Sequence, residues 1–244
     1  MKIRGIKSLF SLPVLVLILY IITGCKDKPG ILLVTGGHDF DTVEFFNLFF
    51  SNKGLSVDTV SQPSANLVIE NIKPDRYDAI VFYDMWQEID QPQKNAYIRL
   101  LENGTGIIFL HHSLVSYQDW DEITRIRGGK YRERGYGSDS MDLSGYEHGL
   151  DLHVKVIDPD HPVIKGIKDF EIRDEGYNNV EILPSVTPLL AVTHPLCAPY
   201  VAWANEYKQS RIVYIMLGHD QIAYKNPSFR QLLYNSISWV SNGK

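Results

Sequence analysis

Runs of apolar residues that alternate with helix-patterned segments constrain this chain more than any other feature. Ile31-Leu32-Leu33-Val34 runs without a break into Thr35-Gly36-Gly37. Ala79-Ile80-Val81-Phe82 and the run from Gly106 to Leu110 repeat the pattern, and residues 55–60 are also strand-like. Runs this short and this continuous read as strands buried on both faces, the habit of parallel sheets. The segments between them carry helical spacing. Residues 41–53 place Val43, Phe46, Phe49 and Phe50 on one stripe, with Asp41 or Thr42 as N-cap and Gly54 as stop. Residues 64–71 and 91–103 follow suit, the latter ending at Asn103-Gly104. A helix between each strand and the next predicts an α/β fold with a mostly parallel, doubly wound sheet.

The texture changes over residues 117–149, where Gly, Tyr, Arg and Asp dominate without sustained periodicity. A structureless segment this long is expected to be a functional lid over the sheet. Its aromatics Tyr117, Trp120, Tyr131, Tyr136 and Tyr146 are candidates to stack on a ligand ring. Strand-like pieces return at residues 152–157, 170–173, 189–192, 200–203 and 211–216. A last helix spans residues 227–240, with Pro227 in its first turn and Phe229, Leu232, Leu233, Ile237 and Trp239 on its apolar face. With no repeat and no linker, residues 25–244 form one domain.

The first 24 residues stand outside that domain. Lys2, Arg4 and Lys7 precede an apolar run from Leu9 to Ile22, and Ile22-Thr23-Gly24-Cys25 closes it. The run is short for a membrane span and suited to a signal peptide. Small residues before a cysteine fit lipoprotein processing, with Ile22 where leucine is more usual, so Cys25 is the expected lipid-modified first residue of the mature chain; the alternative is an uncleaved N-terminal anchor with an incidental cysteine. The expected location is the cell envelope, on the non-cytoplasmic side of a membrane. Processing leaves 21 basic and 29 acidic residues, a net charge of −8. An acidic domain without a basic stripe is a poor partner for nucleic acid. Cys197 then remains as the single other cysteine, which excludes a disulfide framework and suits packing better than chemistry.

Ligand sites in open α/β sheets lie beyond the carboxyl ends of the strands. Three strand ends carry histidine: Thr35-Gly36-Gly37-His38-Asp39, Phe109-Leu110-His111-His112-Ser113 and Leu217-Gly218-His219-Asp220. Any one of them alone reads as a loop histidine satisfied by backbone; three after three strands read as a shared site. A fourth element, Glu171-Ile172-Arg173-Asp174-Glu175-Gly176-Tyr177, offers carboxylates for acid–base work, for a metal or for sugar hydroxyls, or is a solvated turn. Asp158-Pro159-Asp160-His161-Pro162 is turn chemistry. His148, His153 and His194 receive no role.

These pieces, together with Gly128-Gly129, residues 199–203 and Arg211-Ile212-Val213-Tyr214, resemble the ThuA-like family over nearly the whole mature length. The resemblance implies a fold similar to flavodoxin and the class I glutamine amidotransferases, and a link to trehalose or related sugar utilisation, with keto-sugar intermediates. It departs from amidotransferases at one point. The strand that should end in a cysteine nucleophile ends in His111-His112-Ser113, and Ser113 lacks a glycine-flanked elbow. Glutamine hydrolysis is therefore not expected, although His219 sits where the amidotransferase base would be. The expected activity is on a small carbohydrate such as a keto-glycoside, with His111, His219, Asp174 and Glu175 catalytic. Gly37, His38, His112, Tyr177 and Trp203 are the expected substrate contacts. His38, His111 and His219 are the candidate ligands of a divalent metal such as zinc. No nucleotide cofactor is indicated. A non-catalytic sugar-binding lipoprotein or a partner scaffold remains the alternative.

Overall fold

In a computed structural model that describes residues 28–136 and 143–243, strands and helices alternate through the first half of the chain. The order is β1 (Gly30–Gly36), α1 (Thr42–Phe50), β2 (Ser56–Ser61), α2 (Ser64–Asn71), β3 (Ala79–Asp84), α3 (Gln91–Glu102) and β4 (Gly106–Leu110). A 3-10 turn at His111–Val115 leads to α4 (Asp121–Arg127) and β5 (Gly129–Lys130). Then come β6 (Gly145–Val156), β7 (Phe170–Asn178), β8 (Glu181–Ile182), β9 (Thr187–Val192), β10 (Tyr200–Tyr207), β11 (Ser210–Ile215), α5 (Gln221–Lys225) and α6 (Pro227–Ser241). Nine of the strands form one sheet in the order β2-β1-β3-β4-β11-β10-β9-β6-β7. β2, β1, β3, β4 and β11 are mutually parallel, the 2-1-3-4-5 order of flavodoxin-like sheets. The remaining four strands extend the sheet antiparallel.

The sequence dictates this division. β3 and β4 are buried at every position because helices cover both faces. β6 alternates over its second half, Leu152 and Val154 inward and His153 and Lys155 outward, as a strand covered on one face must. Tyr83 stacks on Phe45 of α1, and α1, α5 and α6 share that face. On the other face Phe82 stacks on Tyr97 of α3, and Arg127 of α4 lies over Phe109. α3 starts with a capping box between Asp90 and Gln93, and α6 starts at Pro227 under the Asn226 side chain, which accepts from Ser228 and Phe229. No helix among the described residues is long and apolar enough to cross a membrane.

Two expectations change. The stripe of α1 that meets the core is Phe45, Leu48 and Phe49, while Val43 and Phe50 are 69 % and 50 % exposed. Asp41 sits at the N-cap position but caps no α1 amide, because its carboxylate accepts from Gln221 N–H instead. Residues 117–130 are not the structureless start of a lid, since α4 and β5 lie there. Tyr117 and Trp120 are buried core side chains rather than ligand platforms. α4 follows, too short to persist alone and held by Ile123 and Ile126, which are fully buried; each such burial is worth about 1.5–3 kcal/mol. Gly128 ends α4 with φ +81°, where a Cβ would lie 2.4 Å from Val186. Beyond α4, Tyr131, Glu133, Tyr136, Tyr146 and His148 reach the clefts at the top of the sheet, and before it Tyr117, Gln118 and Asp119 line one of them. Cys25 and residues 1–27 lie outside the described residues, as do residues 137–142 of the expected lid.

Candidate functional site

The carboxyl ends of β1, β4 and β11 meet at one end of the sheet, and each delivers its histidine there. After β1 the chain turns through Gly36 and Gly37, with φ +119° and +84°. A Cβ on Gly37 would lie 1.9 Å from the Met85 carbonyl, so only glycine lets this turn close against the one after β3. Gly37 thus positions His38 rather than touching a ligand itself. After β4, His111 takes φ +47°, a strained conformation for a non-glycine residue that tends to mark functional sites. The surrounding contacts hold it there. Its Nδ1–H donates to the Met216 carbonyl at 2.5 Å, and its own carbonyl accepts from the Tyr214 hydroxyl at 3.1 Å.

Because a carbonyl only accepts, Nδ1 of His111 carries the hydrogen and Nε2 is turned to the cleft. Nε2 lies 3.2 Å from Glu175 Oε1 and 3.0 Å from His219 Nδ1. The donor atoms of His111, Glu175 and His219 all fall within 4.8 Å of one another. Glu175 comes from β7, whose second half lies against the loop before β10, where Ala198 N–H donates to the Tyr177 carbonyl, and against the turn after β11, where Gly218 N–H donates to Asp174. The second oxygen of Glu175 faces His148 Nδ1 at 2.6 Å. His38, His111, His112, His148, Glu175, Tyr177 and His219, with Trp86 and Tyr146, line a cavity of about 250 Å³.

The charge states follow from these neighbours. Burial alone would lower the pKa of His111, but its hydrogen bond to Glu175 and the nearby carboxylate charges raise it overall. Burial works against the Glu175 carboxylate, yet His111 and the surrounding imidazoles hold it below its usual value. The pair therefore shares a proton, as ion pair or hydrogen bond. His219 is pushed down to about 4 by burial and by repulsion from His111, so its ring is neutral at physiological pH. His112 is driven well below its normal value by burial and by the other imidazoles. Both of its ring nitrogens, and Nδ1 of His38, are buried without a partner.

Several expected site residues take other places. Asp174 does not line the cavity; its carboxylate accepts from the backbone N–H of Gly218 at 2.7 Å, His219 at 3.0 Å and Glu175 at 2.9 Å. It is a positioning residue, held at a pKa of about 6 because burial outweighs those bonds. Trp203 is fully buried, stacks on Tyr214, and donates its indole N–H to the Arg127 carbonyl, away from the cleft. His38 faces His219 only at a ring separation of 6.0 Å and stacks closer on His112, at 4.7 Å. Glu175, not His38, completes the group of donors that could hold a metal. His148 was given no role in the sequence, and its one signal there is the i, i+2 pair with Tyr146 just before β6 begins to alternate. Cys197 is buried against Met216, its thiol pushed up to about 12, and is no nucleophile.

A family profile described as trehalose utilisation, ThuA, matches residues 31–240. No curated protein matches the chain. Among solved structures, a ThuA-like protein from Parabacteroides merdae is similar at a TM-score of 0.73 and 18 % identity, covering 88 % of this chain and 91 % of that one. A ThuA-like protein from Bacteroides uniformis follows at 0.63 and 17 %, covering 87 % and 91 %. A β-galactosidase from Bacillus circulans contains a similar fold at 0.56 and 9 %, with 85 % of this chain matching 30 % of that one. At these identities the solved structures speak for the fold alone.

Proposed function

The chain belongs to the ThuA family, and from that premise we propose that its cleft binds a small carbohydrate, such as a keto-glycoside, and transforms it with the help of a divalent cation. The observation that carries this reading is the convergence of His111, Glu175 and His219 on one point of the cavity wall. Two imidazole nitrogens and one carboxylate oxygen suit zinc or a similar ion, with positions left open for substrate. The donors are prepared for that use. The Met216 carbonyl fixes the tautomer of His111 so that Nε2 faces inward, the second-shell arrangement common to ligating histidines. His219 is already neutral at physiological pH, so its ring adds no positive charge to oppose a cation.

A cation held there would polarise a sugar carbonyl or hydroxyl. The chain's own groups do the rest. Glu175 stays ionised beside His111, and His148, bonded to the outer oxygen of Glu175, is exposed where a substrate hydroxyl would meet it. Tyr177, packed 4.9 Å from the His111 ring, closes the floor of the cavity. Thiol-based glutamine hydrolysis has no support, since the turn directly after β4 holds His111-His112-Ser113 and no cysteine. We further propose that the mature protein is tethered by lipid on Cys25 to the non-cytoplasmic side of a membrane.

Elemental analysis of the purified mature protein tests the reading, with a turnover screen of glycosides and their 3-keto forms. Wild type is expected to carry close to one equivalent of cation, and Glu175→Gln and His219→Ala to lose it. Turnover should fall at least ~100-fold in both, the lower end for losing a group engaged in proton transfer or charge stabilisation. Undiminished turnover in both variants would sink the catalytic reading; sugar binding without turnover in wild type would favour a binding protein.

A further inference from the structure

A second cavity of about 270 Å³ adjoins the first, and Trp86, Val115 and Glu133 are walls of both. Trp86 is 58 % exposed at φ +52°, and its indole N–H donates to Glu133 Oε1 at 3.1 Å. An aromatic ring thus stands at the boundary with a face open to solvent. The two chambers differ in chemistry. All the histidines and Glu175 belong to the first; the second offers Glu88, Asp119 and the side-chain amides of Gln87 and Gln118, and Lys130 beside it commits its ammonium to the Gln118 and Tyr136 carbonyls. Gln118 is 8 % exposed, with its amide N–H groups committed to the Val115 and Tyr131 carbonyls and its Oε1 without a partner. The wall is fixed from behind, because Tyr117 N–H donates to the Gln87 carbonyl at 2.8 Å.

We propose that the second chamber holds the second unit of a disaccharide-sized glycoside whose first ring lies among the histidines. This rests on the carbohydrate reading of the first chamber and deepens it. Each cavity alone falls short of the roughly 300 Å³ at which small-ligand pockets begin, and the two joined across Trp86 exceed it. Glu88, Asp119 and Glu133 outnumber Lys130 beside this chamber and repel phosphorylated or acidic groups, whereas they accept hydrogen bonds from the hydroxyls of a neutral ring. An exposed indole at the junction supplies the apolar face such a ring packs on.

The test uses the mature chain and calorimetric binding of a disaccharide, its 3-keto form and the methyl glycoside of the same first ring. Asp119 is exposed, so Asp119→Ala and Asp119→Trp are expected to fold, as circular dichroism will show. Asp119→Trp fills the second chamber and Asp119→Ala removes a charged acceptor. A hydrogen bond to a charged group is worth about 1.5–3 kcal/mol, so disaccharide affinity is expected to fall about tenfold or more in both. The methyl glycoside should bind within about twofold of wild type. Equal losses for both ligand sizes, or no loss for either, overturns the second chamber and leaves the carbohydrate reading standing. Wild type that binds neither size overturns the carbohydrate reading itself, and the second chamber with it.

Discussion

Asp84 ends β3 wholly buried, its carboxylate accepting from Gln62 at 3.0 Å, Tyr117 at 3.3 Å and Ser116 at 3.3 Å. Burial pushes its pKa up to about 6, and those bonds do not bring it back. An acid whose folded pKa lies above its unfolded value of about 3.9 binds its proton more tightly in the native state. Stability is then lost as pH rises between the two values. Compared with Asp84→Asn, wild type should therefore lose roughly 2 kcal/mol between pH 4 and pH 8, read from denaturant unfolding at each pH. A difference that stays flat with pH would show that the carboxyl remains ionised throughout. Asp174 faces the opposite demand, since three backbone N–H groups depend on it. Asp174→Ala strands all three, which at about 1–3 kcal/mol for an unsatisfied buried group should cost at least ~3 kcal/mol. It should also release His219, so that cation affinity falls with stability. Unchanged stability in that variant would mean that water replaces the carboxylate. The histidines were legible in the sequence because each directly follows an apolar run; the work of Asp174 was not, since two of its three partners, Gly218 and His219, lie more than forty residues away.

The elements that the sequence made plain are those whose pattern is unambiguous. β3 and β4 are unbroken apolar runs, and α3 and α6 carry their caps in the local sequence. α1 resisted because Thr42–Phe50 holds four phenylalanines, and apolar residues at helical spacing can be found on more than one of its faces. The partner surfaces choose among them: Phe45 meets Tyr83 and Tyr224, and Phe49 and Leu48 close beneath it. Phe45→Ala should therefore cost about 3–5 kcal/mol, whereas Phe50→Ser, half exposed, should stay within about 0.5 kcal/mol. Comparable losses in thermal unfolding would return the stripe to the one the spacing suggested. α4 was invisible for another reason. Asp121–Arg127 is under two turns, and its only apolar pair, Ile123 and Ile126, cannot establish a period.

At the scale of the molecule, the two halves of the sheet do different work. The parallel half fixes direction, so His38, His111 and His219 arrive at one end. The antiparallel half brings Glu175 and Tyr177 on β7 and His148 on β6 to that same end. The parallel direction also orients the proposed tether. Cys25 lies five residues before Gly30, where β1 begins, and β1 then runs seven residues toward the cleft. At about 3.3 Å per residue the strand separates the tethered end from the cleft by roughly 20 Å. The amino-terminal end of β1, which follows the proposed tether in the chain, and the cleft are thus opposite ends of the sheet. Cys25→Ser should abolish labelling by a radioactive fatty acid and leave an unprocessed precursor. The mature domain without its lipid should retain the turnover of the tethered protein on a soluble glycoside, because nothing in the cleft depends on the amino-terminal end of β1. Labelling that survives the substitution, or cleavage at another position, would refute the tether. Turnover lost on removal of the lipid would show that the membrane contributes to the site, and the separation of ends would have to be abandoned.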